Sequence, residues 1–277
     1  MKLYRIPFGV IIERDKKFYS HDTDWDAFVN DDNLFDKMMS IANSSKPVSN
    51  PEEVLGNSIM PPLSGQELWA CGVTYFRSKV GRQEESKAAG GGDFYARVYE
   101  AERPEVFFKA TANRVVGHGE HVRIRKDSTW DVPEPELTLV VSSSGKILGY
   151  TVGNDMSSRS IEGENPLYLP QAKTYDGCAA VGPCVFVTKD PLPTQTKIAL
   201  EILRDGKKVY EGNVGVDQIK RKLEELVSFV YRECTFPNGC LIMTGTGIVP
   251  SHDFTLKSGD EIRITIDNIG TLVNTVA

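Results

Sequence analysis

The sequence predicts a mostly-β protein with some helices, an α+β fold. Three observations carry this. Short apolar segments of strand length recur along the chain, bounded by Gly, Pro, Asn, Asp and Ser. Asp205-Gly206, between two of them, is a strong two-residue hairpin turn. One clear amphipathic helix stands among the strands, whereas a doubly wound parallel sheet needs a helix after nearly every strand.

Residues 1–65 read as a small N-terminal α/β domain. Leu3 to Glu13 and Lys17 to Ser20 are strands around a turn at Arg14-Asp15-Lys16. Asp24 caps a helix through Trp25, Phe28, Leu34, Phe35 and Met38. Segment 44–65, rich in Ser, Pro, Asn and Gly, is loop or linker. Residues 66–277 form a larger C-terminal domain. Its strands are expected over 68–73, 106–108, 121–124, 137–141, 146–151, 184–188, 197–203, 207–210, 241–243 and 261–266. Its helix starts at an N-cap, Asp217, and sets Ile219, Leu223, Leu226, Val227 and Val230 on one stripe. The run Arg82 to Gly92 is helix-prone and then glycine-rich, a candidate mobile lid.

Composition narrows the function. The net charge is -6, from 32 basic and 38 acidic residues among 277. So mild an acidity gives no general pull on nucleic acid or an anionic membrane. No apolar stretch is long enough to span a bilayer, and the first residues lack a signal peptide's pattern. The five cysteines form no Cys-x-x-Cys pair, which suits free thiols in a reducing cytoplasm.

The chemistry gathers around Trp130-Asp131-Val132-Pro133-Glu134-Pro135-Glu136-Leu137. In an extended strand, Glu134 and Glu136 point to one face. Two carboxylates side by side near a core repel each other, and a hard divalent cation with oxygen ligands relieves both the repulsion and the desolvation. Glu-x-Glu by itself reads equally as a solvated acidic face. Asp155 changes the balance, because it ends the apolar strand Ile147 to Val152 just before a loop. The three acids together make a Mg²⁺ site, with Ca²⁺ or Mn²⁺ as possible substitutes. Such an ion would act as a Lewis acid on a bound carbonyl oxygen.

These residues resemble the fumarylacetoacetate hydrolase family. Glu134-Pro135-Glu136-Leu137 is similar to its Glu-x-Glu-Leu metal motif, and Gly149-Tyr150-Thr151-Val152-Gly153-Asn154-Asp155 to its Gly-Tyr-x-x-x-Asn-Asp segment. Gln171-Ala172-Lys173-Thr174-Tyr175-Asp176 resembles its Ala-Lys-x-x-Asp segment. Phe107-Phe108-Lys109, Val115-Val116-Gly117 and Met243-Thr244-Gly245-Thr246 match three more. The resemblance spans roughly residues 68–270. It implies a mixed β-sandwich roll with a smaller N-terminal domain, metal ligands Glu134, Glu136 and Asp155, and an active-site lysine, Lys173. One departure matters: Gly72-Val73-Thr74-Tyr75-Phe76-Arg77-Ser78 places Ser78 where the hydrolases have a water-activating histidine. A lyase reading gains from that. The resemblance then implies a Mg²⁺-dependent hydro-lyase, a dehydratase of a 2-keto-3-deoxy pentose acid in pentose degradation, working as a homotetramer.

The remaining roles follow from residue chemistry and from the resemblance. Lys173 either binds the substrate carboxylate or moves a proton, and its alternative is a salt bridge to the acidic cluster. Glu84 and Glu85 are acid/base candidates delivered by the lid, against a solvated helix face. Arg77 is a bidentate carboxylate grip. Lys109 and Thr246 are pocket residues carried over from the family pattern. Tyr75 is a substrate contact or a packing residue. Two other readings stand beside the dehydratase: a metal-dependent hydrolase or decarboxylase of acylpyruvate-like 2-oxo acids, and a non-catalytic metal or oxo-acid binding module.

Overall fold

A computed structural model describes residues 1–56, 59–85 and 92–277. The chain opens with strands β1 (Lys2–Ile6), β2 (Gly9–Arg14) and β3 (Lys17–Asp22). Helices α1 (Trp25–Val29), α2 (Leu34–Ser44) and α3 (Pro51–Leu55) follow. Strand β4 (Glu67–Gly72) leads into α4 (Phe76–Glu85) and α5 (Gly92–Glu100). Next come β5 (Glu105–Thr111), β6 (Val115–Val116), β7 (His121–Val122), β8 (Asp131–Val132), β9 (Pro135–Val141), β10 (Ile147–Asp155) and β11 (Ser157–Ser158). Helices α6 (Arg159–Glu164) and α7 (Leu169–Lys173) precede β12 (Ala179–Phe186), β13 (Lys197–Arg204) and β14 (Lys207–Gly215). Helix α8 (Leu223–Val230), β15 (Cys240–Met243), β16 (Glu261–Ile266) and β17 (Gly270–Val276) complete the chain.

Two sheets dominate. A ten-stranded sheet runs β3-β2-β1-β12-β10-β9-β15-β4-β5, with β6 paired to β12. A five-stranded sheet runs β14-β13-β16-β17-β7, and β11 pairs with β8. This is the mixed-sheet, mostly-β body that the strand density predicts. The patterns explain who sits where. Strand β16 alternates, with Ile262, Ile264 and Ile266 buried and Arg263 and Thr265 exposed, so one face packs inward. Each buried isoleucine is worth about 2 kcal/mol of apolar burial. Strand β9 is buried throughout, as a central strand covered on both faces should be.

Local signals account for several boundaries. Asp205 and Gly206 both take left-handed backbone, φ 52° and 72°, as a tight hairpin turn demands. Asp24 accepts the Ala27 N–H at 2.9 Å and caps α1. The expected long helix breaks at Asn30–Asn33, and α2 restarts at Leu34. The expected single strand 3–13 is likewise two strands around a turn at Pro7-Phe8. The helix capped at Asp217 starts later. Val216–Gln218 is a 3-10 turn, α8 begins at Leu223, and Lys222 precedes it. The reason is geometric: Ile219 bridges to Tyr75, which holds that stretch extended.

The segment before residue 65 adds β1–β3 to the large sheet, because β1 pairs antiparallel with β12. Its helix residues Phe28, Leu34 and Met38 share a core with Val181 and Leu241. Of the candidate lid, residues 86–91 lie outside the described part of the structure. Among the described residues, no helix is long and apolar enough to cross a membrane.

Candidate active site

The site is built on the adjacent ends of β9 and β10. The Glu134 N–H donates to the Asp155 carbonyl at 3.2 Å, and the Asp155 N–H donates back to the Glu134 carbonyl at 2.9 Å. Side chains of such a directly opposed pair stand on one face, about 5 Å apart at Cβ. Glu136 follows Glu134 on that same face. One oxygen from each of Glu134, Glu136 and Asp155 lies within 4.8 Å of the others, and all three residues are buried. Sheet register therefore unites Asp155 with glutamates 19 and 21 residues before it in the chain.

Cations surround this centre. The Lys173 ammonium donates to Glu134 Oε2 at 2.7 Å, Asp155 Oδ2 at 3.1 Å and Ser157 Oγ at 2.6 Å. Arg159 Nη2 donates to Glu134 Oε1 at 2.7 Å. Lys109 Nζ lies 2.5 Å from Asp155 Oδ1 and donates to the carbonyls of Met156 and Lys173. Burial pushes the Asp155 carboxyl up, but Lys109 and Lys173 outweigh it and hold the group below its ordinary value. Glu136 is in the opposite situation. Burial, then Asp155 and Glu134, push it well above the ordinary carboxyl range, and Lys173 and the Gly245 N–H at 2.6 Å offset only part of this.

That asymmetry tests whether a metal fits. The positive charge of the described residues is concentrated on Glu134 and Asp155, and the demand for more lies beside Glu136. An oxygen-only donor set suits a hard divalent cation such as Mg²⁺. Glu134, Glu136 and Asp155 are the residues that would hold it.

The expected residues fall into three groups. Lys173 and Thr246 line the same pocket as the three acids, with Arg159, Arg82 and Ser78. Lys109 is fully buried against Asp155 and the Met156 and Lys173 carbonyls, so it props a carboxylate. Tyr75 is also fully buried, beneath Gly247, where an added Cβ would meet its ring at 2.6 Å, so it packs. Arg77 and Glu84 lie seven residues apart on the outer face of α4, half exposed, and pair with each other at 3.9 Å. Glu84 also meets His252, at 3.5 Å. The side chain of Glu85 falls outside the described structure. The inner face of α4 carries Ser78 and Arg82, one turn apart. Ser78 Oγ is committed to the Tyr75 backbone, donating to its carbonyl at 2.8 Å.

Sequence reasoning missed Glu105. It begins β5, in register with Gly72 on β4. Its Oε2 is buried without a hydrogen-bond partner among the described residues. Burial raises its pKa against the opposing pull of Arg82 and Lys173. No local motif marks it; Gly72 is the only hint. A Cβ at Gly72 would lie 1.8 Å from Glu105 Oε2. Gly72→Ala should therefore displace the carboxylate by about an ångström and cut turnover about a hundredfold. Steady-state kinetics beside a melting curve would check that the loss exceeds any loss of stability.

The fold and the site define a class: a mixed-β protein with a buried, oxygen-only centre suited to a hard divalent cation. The chain belongs to the fumarylacetoacetate (FAA) hydrolase C-terminal family, whose model matches residues 74–277. It is 50% identical over 216 residues, 78% of this chain and 73% of the other, to a Haloferax volcanii protein named as a probable 2-keto-3-deoxyxylonate dehydratase. It is 48% identical over 221 residues, 79% of this chain and 74% of the other, to 2-dehydro-3-deoxy-D-arabinonate dehydratase of Saccharolobus solfataricus. The solved structure of 2-keto-3-deoxy-D-arabinonate dehydratase complexed with magnesium and 2,5-dioxopentanoate superposes with a TM-score of 0.85. It is 37% identical, and the match covers 100% of this chain and 98% of that one.

Proposed function

We propose that this protein is a Mg²⁺-dependent dehydratase that converts 2-keto-3-deoxy-D-arabinonate to 2,5-dioxopentanoate. The observation that carries the reading is the Glu134–Glu136–Asp155 centre, in a chain similar over its full length to the magnesium-complexed dehydratase. When bound, Mg²⁺ supplies Lewis acidity at the carbonyl of a 2-oxo acid. Everything else is asked of the chain itself. Glu134, Glu136 and Asp155 hold the ion, and Lys109 fixes Asp155 from behind. Glu105, a carboxylate with a raised pKa beside the pocket, accepts a proton from C3. Lys173 donates a proton to the departing C4 hydroxyl. One C–H bond and one C–O bond break, one water leaves, and tautomerisation places an aldehyde at C5.

Ser78 supports a lyase over a hydrolase. Its hydroxyl is held by the Tyr75 backbone, so it presents no base for activating water. A homo-oligomer and a cytoplasmic location belong to the same proposal. Five free cysteines suit a reducing compartment. Incubating the Mg²⁺-loaded protein with 2-keto-3-deoxy acids and acylpyruvates, with products identified by mass, tests the reaction. Loss of one water from the sugar acid is the expected result. Cleavage of an acylpyruvate, loss of carbon dioxide, or no change in any substrate would each overturn it.

A further inference from the structure

Arg82 and Glu162 form an ion pair that the chemistry above does not use. Their side chains are 5% and 1% exposed. Arg82 comes from α4, and Glu162 from α6. Stability alone is a weak reason for such a pair, because removing two charges from water costs several kcal/mol per ion. The position of Arg82 offers a better reason. It lines the pocket that holds the three acids, one turn beyond Ser78. The other cations near the centre, Lys109, Lys173 and Arg159, each contact Glu134 or Asp155. Arg82 pairs with a carboxylate outside that triad.

Arg82 stands on the pocket wall with its ion-pair partner on α6 and not among the three acids. A guanidinium fork matches a carboxylate better than an ammonium does. The placement is also linked to the metal centre. Arg159 and Glu162 stand one turn apart on α6, the first on Glu134 and the second on Arg82. One short helix thus holds a fixed distance between a metal ligand and the arginine.

Resting on the 2-oxo acid reading above, we propose that Arg82 binds the carboxylate of the substrate. Glu162 is a positioning residue that sets the guanidinium at the pocket wall. The test uses the full-length, Mg²⁺-loaded protein and pyruvate, a 2-oxo monocarboxylate with no C4 hydroxyl. Its binding is measured by calorimetry, so the result does not depend on dehydratase turnover. Arg82→Met combined with Glu162→Leu replaces the buried pair by apolar side chains, a change often neutral for stability. Pyruvate affinity should fall about 30-fold, while the melting temperature and Mg²⁺ affinity hold. Arg82→Lys keeps the charge without the fork and should weaken pyruvate binding about tenfold. Glu162→Gln should raise KM for the sugar acid about tenfold, with a smaller change in kcat. Wild-type pyruvate affinity in the double variant or in Arg82→Lys would overturn the assignment. So would a wild-type protein that fails to bind pyruvate. Pyruvate binding lost in the variants of a protein that dehydrates no sugar acid would keep Arg82 and discard the dehydratase.

Discussion

Replacing Glu136 by Gln should lower turnover about a thousandfold and leave the fold intact. Of the three acids, Glu136 is the one that accepts its hydrogen bond from a backbone N–H, that of Gly245. A glutamine oxygen can accept that bond as well, so no buried cation is stranded. The substitution also removes a carboxyl that burial and its acidic neighbours push well above its ordinary value. Stability should therefore hold or rise slightly. The ion's hold on the site should weaken sharply, because a charged oxygen ligand becomes a neutral one. The Lewis-acid contribution is worth several kcal/mol, and each 1.36 kcal/mol is tenfold in rate, so about 4 kcal/mol gives about a thousandfold. Calorimetric titration with Mg²⁺, a melting curve and kcat measured on one preparation test the three parts separately. Wild-type Mg²⁺ affinity in Glu136→Gln would remove this residue from the metal site.

Lys173→Met should damage both the fold and the chemistry. The ammonium bridges Glu134 and Asp155, and its loss leaves two buried carboxylates facing each other. Breaking a buried pair this way costs about 3 kcal/mol or more. For a chain of this size that lowers the melting temperature by roughly 6 °C. Added Mg²⁺ should recover more stability in the variant than in the wild type, since it offers the carboxylates another cation. Turnover should fall about 10²–10⁴-fold if Lys173 handles a proton. The pH profile carries a further sign. Lys173 lowers the raised pKa of Glu105, so removing it raises that pKa further. Glu105 then deprotonates at higher pH, and the rising acid limb of kcat/KM moves upward. A limb that stays in place or moves down would take the base role from Glu105. Turnover within tenfold of wild type would take the proton-transfer role from Lys173.

Much of the architecture is legible in local pattern. The Glu261–Ile266 alternation, the Asp205-Gly206 turn and the Asp24 cap each rest on interactions within a few residues. The elements misplaced by the sequence depend on distant partners. Ile219 is held extended by its bridge to Tyr75, which delays α8 to Leu223. The site divides the same way. Arg77 and Arg82 sit in one short helix, and composition cannot tell which faces inward. Only the packing of α4 over the pocket, with Glu162 beneath it, decides for Arg82.

By itself, the sequence determined that the body is mostly β and that Glu134 and Glu136 share a face, because strand alternation is a property of the backbone. It also determined that Ser78 is no imidazole base. Tertiary structure alone decided that Asp155 stands opposite Glu134, that Lys109 props it from behind, and that Glu105 and Arg82 approach from other elements. The physical reason is register. A strand pairing shifted by one residue would turn Asp155 to the opposite face, and that pairing is set by long-range packing, which no local run of residues encodes.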